Sequence, residues 1–181
     1  LMLFYASLRR EFSMPLSMLY TTLLGSTPYL ASMAAVSGYA DVPLMLFLFG
    51  ATAFIHRWLK QGALSDLQIG AILAAFGVWC KREGMVYWLV NLAAVLIYII
   101  ATRQQRDRRA MWQALCSFLV PALVLLVPWF GFVSWYRIPN SDFVPVSVTV
   151  FWANLSRLPV IAVHALGQFA TLGAWGVLWV L

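Results

Sequence analysis

At 181 residues, 63% hydrophobic and only 10% charged, the chain has a mean hydropathy of +0.84 and a formal net charge of +6. A soluble domain carries roughly 25% charged residues, so this composition excludes a water-soluble enzyme and identifies an integral membrane protein. The basic residues fall at the ends of apolar segments and not in one stripe, so membrane topology explains the positive charge and nucleic acid is not an expected partner.

A transmembrane helix needs about 20 apolar residues. In chain order such runs are expected at Leu16–Ala35, Val42–Leu59, Leu67–Cys80, Met85–Ala101, Ala114–Tyr136 and Leu158–Leu181, with Leu1–Leu8 as the tail of an earlier helix. Strands with open edges cannot satisfy their backbone in lipid. The expected fold is therefore all-α, a single polytopic transmembrane domain over residues 1–181 with about six spans, short inner loops and an outer juxtamembrane segment. The chain starts at Leu1 and stops inside an apolar run, and it reads as a fragment of something longer. Cys80 and Cys116 fall near opposite ends of their spans, too far apart for a disulfide.

Cytoplasmic loops carry the excess of Lys and Arg. Arg9, Arg10, Arg57, Lys60, Arg103, Arg106, Arg108 and Arg109 occupy one set of connections, and Lys81, Arg82, Arg137 and Arg157 the other. The first set is expected inside. Asp41, the Lys81–Glu83 turn and the segment Ile138–Arg157 then share the outer face.

Two features on that face are unusual for so apolar a chain. The stretch Asp41-Val42-Pro43 has the grammar of a helix start, an Asp N-cap followed by a first-turn proline, with Tyr39 as an interfacial aromatic just before it. Further on, Leu67–Cys80 spans only about 21 Å as a helix, short of a bilayer core of about 30 Å, and runs into Lys81-Arg82-Glu83-Gly84. Three ionisable residues at that depth suggest a site, with a snorkelling pair on a tight hairpin as the plain alternative. Lys81 suits a phosphate as a compact point charge, while Arg82 either clamps bidentately or merely reaches the interface. Asp142, in the proline-broken "IPNSDFVP", reads either as a turn residue or as a substrate contact. His164 sits within the last apolar run and His56 beside Arg57, neither with a second ligand at metal spacing.

An outer "GYADVPLMLFLFGA" followed about 40 residues later by an "A-x-x-x-K-x-E-G" turn resembles bacterial membrane glycosyltransferases of the GT-C fold, in the group of protein mannosyltransferases and lipid A aminoarabinose transferases. The basic loop, the Pro121/Pro128-Trp129 helix and "IPNSDFVP" are similar to the region that follows in that group. The resemblance implies transfer of a sugar from a polyprenyl-phosphate donor to a lipid, glycan or protein acceptor, in the bacterial inner (plasma) membrane, with the active site facing outward. It implies Asp41 and Glu83 as catalytic residues and Lys81 as the residue that holds the donor phosphate, with Arg82 beside it a phosphate-binding candidate on its own chemistry. Tyr39 and Asp142 are candidate substrate contacts. A divalent metal ion is left open as a cofactor, although no metal motif is visible. The group's first acidic loop would lie upstream of Leu1. The competing expectation is a polytopic transporter or flippase that uses the same charges as an intramembrane pathway.

Overall fold

The computed structural model describes residues 1–35, 40–102, 107–138 and 148–171, and among these every regular element is a helix. The chain divides into two compact units, Leu1–Val36 with Ile138–Leu181, and Ser37–Arg137. In the first, α1 (Met2–Leu8), α2 (Met14–Gly25) and α3 (Pro28–Ala35) are followed, after the middle of the chain, by α8 (Val148–Asn154), a 3₁₀ turn at Leu155–Arg157 and α9 (Leu158–Phe169). The apolar run expected as one span from Leu16 to Ala35 is broken at Ser26-Thr27. Pro28 opens a new helix there, since a proline has no N–H to donate to the preceding turn.

The second unit contains α4 (Asp41–Gln61), α5 (Leu64–Cys80), α6 (Glu83–Ala101) and α7 (Arg108–Trp135). Three of these, α4, α6 and α7, are long and apolar enough to cross a membrane; α5 is a shorter apolar helix. Three spans meet this measure among the described residues, and the expected run Leu158–Leu181 extends past residue 171, outside them. With 17 residues, α5 is also longer than the 14 expected, because Leu64, Ser65 and Asp66 join its first turn. At about 26 Å it comes closer to the thickness of a bilayer core than the sequence reading allowed.

Gly62 separates α4 from α5 in a left-handed conformation (φ 73°), and its N–H closes the helix on the Trp58 carbonyl at 2.7 Å. The two helices then pack antiparallel through small residues. A side-chain carbon on Gly70 would lie 2.9 Å from Ile55 and 3.2 Å from the Ala51 carbonyl, so the backbones meet where no larger residue fits. The core gathers around α5, with Leu67, Ala71, Ala75 and Val78 buried among Trp58, Val95, Phe118 and Ala122 of its neighbours. Trp58 is fully buried and meets the Tyr98 ring edge-on at 5.0 Å, while the Tyr98 hydroxyl donates to the Leu59 carbonyl at 3.4 Å.

Polar side chains within the apolar helices are mostly satisfied on their own backbone. Ser17, Thr21, Asn91 and Thr102 each donate to a carbonyl four residues earlier, at 2.7–3.0 Å. Such bonds need no partner from another helix, and they suit segments where lipid offers none. Cys80 and Cys116 are free thiols.

Candidate functional site

The site is built where α4 begins and α5 gives way to α6. Ala40, not Asp41, occupies the N-cap of α4, and no side chain caps the helix. Asp41 is already the first helical residue, and its carboxylate is used elsewhere. This corrects the N-cap reading, for a simple reason: a lysine 40 positions away competes for the oxygen that would have turned back to the helix N–H groups.

That lysine is Lys81. Its Nζ donates to Asp41 Oδ1 at 2.9 Å and lies 3.7 Å from Glu83 Oε1. All three side chains are partly exposed, between 29% and 44%. The hydrogen bond to Asp41 holds the Lys81 ammonium above its ordinary value of 10.5, with attraction from Glu83 adding to it and partial desolvation opposing it. Lys81 is therefore a fixed cation at neutral pH, flanked by two carboxylates. Glu83 Oε2 is buried and has no hydrogen-bond partner among the described residues.

The backbone explains why the three meet. Lys81 is the only residue of the turn in an extended conformation (φ −161°, ψ 153°), and Arg82 is already helical at the N-cap of α6. The Lys81 N–H bonds to the Gly77 carbonyl at 3.3 Å and its own carbonyl accepts from the Gly84 N–H at 2.9 Å. So tight a reversal brings the first turn of α6 onto the last turn of α5. Gly84 makes it possible, because a side-chain carbon there would overlap the Gly77 carbonyl group. Gly84 is buried although it follows the charged residues.

Of the other expected site residues, Arg82 follows Lys81 in the turn and is exposed. Tyr39 and Asp142 lie outside the described residues. His56 and His164 are exposed on α4 and α9. Among the described residues no group of three or more His, Cys, Asp or Glu side chains is placed to hold a metal ion. The two carboxylates at the site share the Lys81 ammonium between them.

Two features near this bundle were not anticipated. An aromatic ladder leads toward the Lys81 end: Phe47 stacks on Phe76 at 5.5 Å, Phe76 meets Trp79 at 5.8 Å, and Trp79 stacks on Trp129 at 5.2 Å. It continues along α7 through Phe132 to Tyr136. The spacing Phe76, Trp79 and Trp129, Phe132, Tyr136, each three or four apart, was the available signal. At the far end of the same hairpin Arg57 pairs with Asp66 at 3.3 Å, the aspartate side chain only 7% exposed. The signal there was an acid in the first turn of a helix that follows a basic helix end across a glycine. No protein-family model, curated protein or solved structure matches the chain.

Proposed function

We propose that the chain belongs to an integral membrane glycosyltransferase of the GT-C type, which moves a sugar from a polyprenyl-phosphate donor to a lipid, glycan or protein acceptor at the outer face of a bacterial inner membrane. The observation that carries this reading is the meeting of Asp41 and Lys81 at 2.9 Å, from opposite ends of a 40-residue helical hairpin. Charges kept so near lipid, held together by a glycine-dependent turn, are costly, and by default suggest function.

The chemistry asks for what these residues offer. Transfer breaks the bond between the anomeric carbon and the phosphate oxygen, and the electron pair leaves with the polyprenyl phosphate. Lys81 has three N–H donors and uses one on Asp41, so a phosphate oxygen can be bound without dismantling the cluster. A cation already in place stabilises the charge that develops on the leaving group and needs little reorganisation. Arg82, exposed at the next position of the turn, can turn its guanidinium to the same phosphate as a second and bidentate contact. The acceptor hydroxyl bonds to the anomeric carbon and gives its proton to a carboxylate. Asp41 and Glu83, both partly exposed, are the two carboxylates at the site that can take it. The partly exposed Trp79 offers an apolar wall beside the site for the sugar face or the first prenyl units.

The test is turnover of a polyprenyl-phosphate sugar by the full chain in liposomes. Lys81→Ala should lose activity at least about 100-fold, the scale for removing a preorganised charge-stabilising donor. Lys81→Arg should retain part of it. Unchanged turnover in Lys81→Ala removes the phosphate-clamp role, and Lys81-dependent transport of a solute without sugar transfer replaces this reading with a transporter.

A further inference from the structure

The end of the four-helix unit remote from Lys81 holds a different arrangement. A cavity of about 410 Å³ opens between α6 and α7, lined by Leu96 and Ile99 of the first and by Arg108, Met111, Trp112 and Leu115 of the second. Ile99 is buried at 8% exposure, whereas Trp112 stands at 65%. The volume is in the range of small-molecule sites.

The order of these residues along the helices gives the groove a direction. Arg108, Met111/Trp112 and Leu115 stand three or four residues apart, on one face of α7 over about 10 Å. Ile99 and Leu96 line the groove from the antiparallel helix α6, running back from its end. A single cation therefore sits at the mouth, by the helix ends, and everything deeper is apolar. Arg109 is exposed next to it, and Arg103 and Arg106 precede it in the chain, four arginines against the single Asp107.

We infer that this groove is a binding site for an anionic membrane phospholipid, its phosphate at Arg108 and one acyl chain along Leu96, Ile99, Met111 and Leu115. A soluble phosphate would use the cation but has no need of 10 Å of apolar wall. A neutral or zwitterionic lipid would fill the wall but gains little from the excess of arginines, since headgroups with a net negative charge are those a basic cluster at a membrane surface retains. The exposed Trp112 indole suits the headgroup boundary, where its ring is half in lipid and half in water. The site lies about 24 Å from the Lys81 turn along α6 and does not depend on the glycosyltransferase reading.

The experiment is native mass spectrometry of the full chain released from vesicles of equal phosphatidylglycerol and phosphatidylcholine. The expected result is bound phosphatidylglycerol at least about fivefold over phosphatidylcholine. Arg108→Gln should bring that ratio close to one. Leu115→Trp, which fills the groove and leaves the arginine in place, should lower the retained phosphatidylglycerol by a similar factor. Arg137→Gln, at the opposite end of α7, should leave the ratio unchanged. Equal retention of both lipids by the unaltered chain overturns the proposal whatever the variants do. Selectivity that survives both Arg108→Gln and Leu115→Trp overturns it too, as does release of the bound lipid by millimolar glycerol phosphate, or preference for added polyprenyl phosphate over phosphatidylglycerol.

Discussion

Gly84 rests directly on the carbonyl of Gly77, and the whole Lys81 turn depends on that contact. A methyl group at position 84 would overlap the Gly77 carbonyl and crowd the Val78 nitrogen, so α6 would have to move as a body. Backbone, unlike the tip of a side chain, cannot yield locally. Gly84→Ala should therefore cost stability at the upper end of the overpacking range, about 3 kcal/mol, and should displace Glu83 from Lys81. Gly131→Ala is the matched control, because nothing lies within 4 Å of a side-chain carbon there. Thermal unfolding in detergent should separate the two variants clearly; equal midpoints would mean that the turn has another support.

The raised Lys81 ammonium sets a sign for pH dependence. A cation whose folded value lies above its unfolded value adds stability that is fully present below the unfolded value and is lost as pH rises through the folded one. The unfolded value is 10.5, so the contribution should be constant through neutral pH and disappear only in the alkaline range above that. Scanning the unfolding midpoint from about pH 7 to about pH 11.5 checks this, by comparison with Lys81→Met, in which the alkaline component should be absent. A difference between the two proteins that vanished on acidifying from pH 7 to pH 5 would have the wrong sign for lysine.

How much of this was legible in the sequence differs from residue to residue. That Asp41, Lys81 and Glu83 stand at one end of the bundle followed from counting apolar runs, since two helices joined by a short turn must return their outer ends to the same level. That Asp41 reaches Lys81 rather than its own helix end did not follow, because local capping grammar is blind to a partner 40 residues away. Asp66 was missed for a related reason. Hydropathy places an aspartate outside an apolar run, whereas Arg57 across the Gly62 turn lets it enter α5 and be buried. The break at Pro28 was the opposite case: the residue was visible, but uninterrupted apolarity on both sides outweighed it. The Gly77–Gly84 contact needed the crossing geometry of α5 and α6, which residue type alone does not supply.

The Arg57–Asp66 pair should act as a structural clamp, independent of the chemistry at the other end. Asp66 is nearly excluded from solvent, and one of its oxygens and the Arg57 Nε lack hydrogen-bond partners among the described residues. Removing a single member leaves the other charge partly buried and alone, whereas removing both avoids that cost. Asp66→Ala should destabilise by about 3 kcal/mol, while Arg57→Met with Asp66→Leu should recover most of the loss. Sugar transfer per folded molecule should be unchanged in the double variant. If the double variant is no more stable than Asp66→Ala, the pair is not the clamp inferred here.

The same logic, applied to Asp41 and Lys81, separates holding from catalysis. An ion pair is nearly symmetric in what it does for packing, so exchanging its members keeps the attraction between α4 and the α5–α6 turn. A partly exposed pair contributes little in any case, and the like charges that the exchange sets side by side at positions 81 and 83 are partly exposed too, so Asp41→Lys with Lys81→Asp should fold with a midpoint lowered by no more than about 6 °C. The proposed reaction is not symmetric. It needs the cation beside Arg82, where the two can grip one phosphate, and the carboxylate at the start of α4, and the exchanged protein has an acid where the leaving group gains negative charge. Turnover should fall at least about 100-fold even though the fold is kept. An exchanged protein that folds and still transfers sugar would show that the pair only fastens the helices, and the donor phosphate would have to be sought at other cations.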